Sequence, residues 1–359
     1  MNILQRYVFK ELFLPFILSL MVLNFIFMGG YLVKAANFII GRGVSLGDTA
    51  TVLLLAMPGI IGYTVPTSIL MAVLLVFGNL SQSNELRAMK ASGVQLLHVI
   101  MPVFLLGLAL SCAIFVFNDQ VASTARFELR RAMKRMVIKF PKALIEPGRF
   151  VKLSDSIIFM TKEMHGDQLR DVVAYEMGKN EDPVRTIIAE SGEIATLKDQ
   201  SAVQIRLFNG SISDAQEEGV HTMQFKTYEF PPLGQEDIDN MQKKKRDLTL
   251  AEILLDLEKA DNSEDRRILW TAFHERIAFS CGCFLFVIVG VPFAMLVRRG
   301  EIVLSFGIAM ATASFYYIFF AGAKTLAIRG LMTPVLALWI PNVILFAAGI
   351  YLMRRAILN

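Results

Sequence analysis

The chain has 359 residues, 54% of them hydrophobic and 19% charged, with a net charge of +4. The charged residues are concentrated outside six long apolar runs, and this segregation marks an integral membrane protein and excludes an ordinary soluble one. The small, unclustered positive charge excludes a nucleic-acid surface, and the three cysteines, all inside apolar runs, exclude a disulfide framework.

A short polar lead-in at 6–11 precedes the first run, 12–33, which is too long for the apolar core of a signal peptide and reads as a retained helix. The other runs are 52–77, 99–117, 277–297, 302–323 and 335–353. None contains Asp, Glu, Lys or Arg, and each has about the 20 residues that a helix needs to cross ~30 Å of hydrocarbon. Gly41-Arg42-Gly43 and Gly47-Asp48 form the turn between the first two spans. Pro58, Pro66, Pro292 and Pro341 are positions where a span can kink. Cys281-Gly282-Cys283 lacks the partners of a metal site and reads as small residues packed between helices.

Between the third and fourth runs the chain changes character. Residues 119–139 continue span three as a charged helix that carries Arg126, Arg130, Arg131, Lys134 and Arg135. After Pro141 the pattern has period two: Val203, Ile205 and Leu207 alternate with Gln204 and Arg206, and Met223 and Phe225 with Gln224 and Lys226. Further strands are expected at 150–153, 157–162, 171–176 and 184–189. Turn signals stand at Ser154-Asp155, His165-Gly166-Asp167, Lys179-Asn180, Lys198-Asp199 and Asn209-Gly210. Short strands so spaced predict a β-sandwich or a partly open barrel. Residues 249–260 read as a capped amphipathic helix that leads back to the membrane.

The fold class is therefore a membrane α-helical bundle of six transmembrane helices with an inserted all-β domain. The expected divisions are 1–117 (helices one to three, with a loop helix at 81–93), 118–275 (the β domain with flanking helices) and 276–359 (helices four to six). On the face shared by the termini lie Arg6, Lys10, Arg87, Lys90, Arg298, Arg299, Arg354 and Arg355; only Lys34, Arg42, Lys324 and Arg329 flank the other short loops. Basic residues favour the cytoplasmic side, so both termini are expected there and the 118–275 domain outside.

Enzyme motifs are missing: there is no phosphate-cradling loop, no zinc-protease helix after His274-Glu275 and no nucleophile elbow. The chain reads as a transporter subunit without catalysis, cofactor or metal. Spans free of ionisable groups give ion coupling no site, so energy is expected from outside the bundle. Its point of entry is the loop 81–93. Ser81 or Ser83 can cap a helix there, Glu85 sits in its first turn, Leu86 and Met89 share a face, and Gly93 can end it. Two readings stay open: a surface helix, or a coupling helix docked on a cytoplasmic ATPase.

These residues resemble the LptF/LptG lipopolysaccharide-transport permeases. The likeness rests on Arg6-Tyr7 with Lys10-Glu11, on Asn84-Glu85-Leu86 with Met89, Ala91, Ser92 and Gly93, and on Trp339, Pro341-Asn342, Gly349, Tyr351-Leu352 and Arg354-Arg355. It covers essentially the whole chain, and segments 148–163 and 189–209 look closer to LptF. The resemblance implies a periplasmic jellyroll-like domain and a Gram-negative inner-membrane location. It also implies a heterodimer with a second such permease, two copies of an LptB-like ATPase, and LptC/LptA-like bridge proteins that receive lipopolysaccharide. Glu85, Leu86 and Met89 would then contact the ATPase. Lys34 would pair with lipid phosphate, its alternative being a snorkelling anchor, and Arg126 and Arg130 match further basic positions. The competing function is a non-transporting membrane scaffold whose outer domain binds an envelope protein; an intramembrane hydrolase lacks a nucleophile–base pair.

Overall fold

Among the described residues of the computed structural model, six helices are long and apolar enough to cross a membrane: Ile3–Ile40, Leu46–Gln82, Leu96–Met136, Ser263–Val297, Ile302–Ile328 and Pro334–Ile357. The structure describes residues 3–42, 44–140, 147–152, 157–177, 183–196, 202–216, 219–234, 238–297 and 301–358. Gly43, Ser154-Asp155, Lys179-Asn180, Lys198-Asp199 and Arg298-Arg299 lie outside them.

In chain order, α1 (Ile3–Arg42), α2 (Leu46–Gln82), a short α3 (Glu85–Ala91), α4 (Leu96–Val116), a π-helical turn (Phe117–Ala122) and α5 (Ser123–Lys139) precede a seven-stranded antiparallel sheet. After it come α6 (Leu250–Lys259), α7 (Ser263–Ser280), α8 (Gly282–Val297), α9 (Ile302–Ile328) and α10 (Pro334–Leu358). A helical bundle thus carries a β domain inserted between its third and fourth spans, as expected. By contacts the chain forms two compact units: Met1–Gly30 with Leu55–Phe127 and Lys243–Asn359, and Tyr31–Leu54 with Glu128–Gln242.

In the first unit, α2 and α8 are the buried helices; Ile69, Leu70, Phe77, Phe286 and Val287 form the centre of its core. The fourth span breaks at Cys281 between α7 and α8. The break frees the Phe284 N–H, which donates to Ser111 Oγ at 3.0 Å, so the backbone stays satisfied away from water. Asn342 is buried and ties two elements together: it accepts from Tyr316 Oη on α9 at 2.8 Å and donates to the Ala278 carbonyl on α7 at 2.8 Å. Such pairing is what a buried amide requires in an apolar bundle. Helix α6 starts as its sequence suggests, with Thr249 and Glu252 forming a reciprocal capping box. Burial alone would raise the Glu252 carboxyl. The Lys243 ammonium and the Thr249 N–H outweigh that and hold it below the usual carboxylate range.

In the second unit, Phe38 of α1, Val44 between the helices and Val52 of α2 pack with Met136 of α5. The sheet runs in the order β1 (Val151–Lys152), β2 (Ile157–His165), β3 (Gln168–Met177), β4 (Pro183–Thr196), β5 (Ala202–Gln216) and β6 (Gly219–Glu229), with β7 (Leu233–Gly234) on β5. Strands reach 15 residues, longer than the alternation suggested. Phe159, Leu169, Val172, Ile187, Ile194, Ile205 and Leu207 fill one face.

The long strands flip phase at kinks across which the pairing register is unchanged. Asp171, with φ 49°, separates the buried Leu169 and Val172, which are three apart rather than two. Asn209-Gly210, expected as a turn, lies instead inside β5. Asn209 takes φ 50°, and a Cβ on Gly210 would overlap the Ile188 carbonyl oxygen. The left-handed backbone that makes this pair a turn former serves a kink within a strand just as well. Beyond the kink Met223, expected to share a face with Phe225, is 70% exposed. His165-Gly166-Asp167 does form the β2–β3 hairpin turn, with Gly166 at φ 67°.

Candidate functional site

At the end of the first unit that carries the termini, the loop helix α3 is held from three sides. Leu86 is buried and Met89 packs beside it on the bundle core, so the face they share points inward. Neither Ser81 nor Ser83 caps the helix. Its N-cap is Asn84 in a left-handed conformation, and the serines bond elsewhere: Ser81 Oγ to the Met295 carbonyl at 3.2 Å, and Ser83 Oγ to Glu85 Oε1 at 2.9 Å. Tyr7 Oη donates to Glu85 Oε2 at 3.3 Å, and Lys90 Nζ to the Ile357 carbonyl at 2.9 Å. Both ends of the chain thus reach α3 directly. Gly93, at φ 83°, follows its last turn as expected. Arg87, Ala88 and Lys90 face outward.

Tyr7, Glu11 and Glu85 also stand at one end of a cavity of about 630 Å³ between α1, α2 and α9. Its walls are apolar, with Leu18, Val22, Met71, Leu75, Val303 and Phe306 among them. Long alkyl chains fit such a lining.

The opposite end of the unit is polar, in a way that reading the spans alone missed. Asp119 and Arg276 lie just outside the apolar runs of spans three and four and are both buried, as an ion pair. Arg276 also donates to the Leu248 carbonyl, while Asp119 accepts from Leu250 N at 2.7 Å and Gln120 Nε2 at 2.9 Å. The π-helical turn carries Asp119; π-turns of this kind often mark special sites. The only sequence signal was an acid just past one apolar run and a base just before the next, at matching depth.

Beside this pair lies a cavity of about 210 Å³, lined by Gly62, Tyr63, Asn118, Arg126, Lys245, Arg246, Glu275, Arg276 and Lys324. Lys324 pairs with Glu275, Lys245 with Asp265 and Arg276 with Asp119. Arg126 donates only to neutral oxygens, Ser123 Oγ at 3.1 Å and the Arg246 carbonyl at 3.4 Å, and its buried Nε has no hydrogen-bond partner among the described residues. Asp247 and Glu275 act on Arg126 from nearby, but the lining holds more basic than acidic side chains, which suits a phosphate-sized anion.

Arg130 lies one turn beyond Arg126 on α5, half-buried. Lys34 is exposed on α1, its ammonium 5.8 Å from the centroid of the Tyr31 ring. The profile of the lipopolysaccharide export system permeases LptF/LptG matches residues 6–355. The chain belongs to the LptF/LptG family. A protein described as "Uncharacterized protein RP871" from Rickettsia prowazekii (strain Madrid E) is 19% identical over 158 residues, 44% of each chain. The match thus spans less than half the length of that curated relative. Six helices long and apolar enough to cross a membrane fit a multi-pass member of that family.

Proposed function

We propose that this chain is the permease subunit of an ABC transporter that extracts lipopolysaccharide from the inner membrane and delivers it to a periplasmic protein bridge. Residues 118–275 are periplasmic and both termini cytoplasmic. ATP is hydrolysed by a separate LptB-like dimer, and a second LptF/LptG-type permease completes the bundle. The observation that carries this reading is α3. It is a short helix braced by α1 and α10, with an acidic first turn and an outward polar face, on the side where basic loop residues concentrate. Glu85 is the contact to the ATPase, while Leu86 and Met89 transmit its movement by packing against the core. The apolar cavity between α1, α2 and α9 accommodates acyl chains, and Arg126 with its neighbours supplies charge for lipid phosphate.

The test is purification of the complex in mild detergent. An ATPase should co-purify and hydrolyse ATP faster in the presence of this chain. A preparation without any ATPase would leave the scaffold reading. Topology is checked on a cysteine-free background. Met223→Cys should react with an impermeant maleimide in intact spheroplasts, and Ala88→Cys only after permeabilisation; the reverse pattern inverts the orientation.

Lys34, Arg126 and Arg130 are each proposed as phosphate contacts. A charge-assisted bond to phosphate contributes about 1–3 kcal/mol, or roughly 5–150-fold in affinity. Lys34→Glu should therefore cut lipopolysaccharide photo-crosslinking and transport strongly, with Lys34→Arg tolerated. Wild-type transport by Lys34→Glu would make Lys34 an interfacial anchor.

A further inference from the structure

A third cavity, of about 630 Å³, opens between α7 and the start of α10. It lies apart from the α3 cradle and from the cationic cavity around Arg126, and neither role proposed above uses it. Its α7 wall is a single stripe, Arg266 and Arg267, then Trp270, then His274, at the three- and four-residue spacings that put side chains on one helix face. From there α7 continues into the apolar stretch that begins at Ile277. Along one face the order is therefore guanidinium, aromatic, hydrocarbon, the same order as phosphate, glycerol region and acyl chain in a phospholipid.

The site is built rather than incidental. Arg267 Nε donates to the Ile328 carbonyl at 3.0 Å. Its guanidinium lies over Gly330, whose φ of 77° and missing Cβ make room for it: a Cβ there would come within 2.7 Å of Nη1. That contact fixes the guanidinium and leaves its terminal nitrogens without a carboxylate among the described residues. Arg266 is exposed and forms no ion pair among the described residues. The indole of Trp270 stacks with the His274 ring at 5.6 Å and 21°. The other wall is Pro334 and Val335, the first turn of α10, which holds no acidic residue to offset the positive end of the helix. Two unpaired guanidinium groups, a free helix N-terminus and an amphipathic ring pair at the end of an apolar span form a receptor for one anion with a hydrocarbon tail.

We infer that the cleft of Arg266, Arg267, Trp270, His274, Pro334 and Val335 holds a resident anionic bilayer phospholipid, its phosphate between the arginines and the start of α10. Arg266 selects the charge, Arg267 is the fixed half of the clamp, and the ring pair covers the glycerol region.

Trp270 supplies the readout, because the chain has only two tryptophans and Trp339→Phe leaves it alone. The full-length chain with Trp339→Phe is placed in nanodiscs holding equal fractions of phosphatidylglycerol and phosphatidylcholine, only one of which is brominated in its acyl chains. Brominated phosphatidylglycerol should quench Trp270 well beyond brominated phosphatidylcholine, and the preference should weaken with salt. Arg266→Gln should lower the preference by about fivefold, the ratio that corresponds to one arginine at an anionic surface; Arg266→Lys should largely keep it. The Arg266 side chain is exposed and forms no hydrogen bond or ion pair among the described residues, so its variants report binding and not folding. Equal quenching by the two lipids, or an unchanged preference in Arg266→Gln, overturns the proposal. So does lipopolysaccharide that displaces the brominated lipid at a lower mole fraction than phosphatidylglycerol does, since the cleft would then belong to the transported glycolipid.

Discussion

Arg276→Ala should destabilise the bundle by about 3–5 kcal/mol, the usual cost of removing one member of a buried ion pair. The reason lies in what remains. Asp119 would keep only Leu250 N and Gln120 Nε2 as donors around a buried carboxylate, and the Leu248 carbonyl would lose its donor as well. Since the pair joins the end of the third span to the segment before α6 and to α7, its loss should free the insert's return strand of chain before it unfolds the spans. Thermal unfolding in mild detergent, followed by size-exclusion chromatography, checks this. Replacing both residues together, Asp119→Leu with Arg276→Met, should recover most of the loss, because the apolar pair no longer desolvates a charge. If Arg276→Ala unfolds at the wild-type temperature, the ion pair carries no structural weight.

The sequence reveals this molecule unevenly, and the reason is distance along the chain. The spans depend on local composition and length, so all six were readable from their apolar runs. The capping box at Thr249 and Glu252 is likewise a local code. Asp119 and Arg276 stand 157 positions apart, and nothing local distinguishes a buried acid from the first charge of a solvated helix. The same holds for Arg126, which reads as one of several arginines on a charged helix until Lys245, Arg246 and Lys324 gather round it. Period-two alternation found the sheet, but it cannot foresee the phase flip at Asn209-Gly210, because a kink within a strand and a turn draw on the same left-handed backbone. At α3 the shared face of Leu86 and Met89 was readable from spacing. Its inward direction and the Asn84 cap were not, because both depend on which neighbours the loop meets.

Glu85→Lys should almost abolish coupled transport while leaving the bundle folded. Glu85 sits in the first turn of α3, where a negative charge favours the helix, and reversal there costs only about 0.3–1 kcal/mol in stability. At a docked interface the same reversal removes one favourable charge and adds an unfavourable one, for several kcal/mol. The two magnitudes separate the roles. Tyr7→Phe sharpens the contrast, since it removes the hydroxyl that donates to Glu85 Oε2 and leaves the charge in place. Losing that partly exposed bond should cost about 0.5–1.5 kcal/mol, so Tyr7→Phe should slow transport a few-fold and leave ATPase binding intact. The measurements are ATPase co-purification, ATP hydrolysis and lipopolysaccharide release from proteoliposomes for both variants. If Glu85→Lys binds the ATPase normally and exports lipid at the wild-type rate, α3 is a surface helix and energy enters elsewhere. If Tyr7→Phe instead matches Glu85→Lys in every assay, the carboxylate acts through α1 rather than at a docking surface.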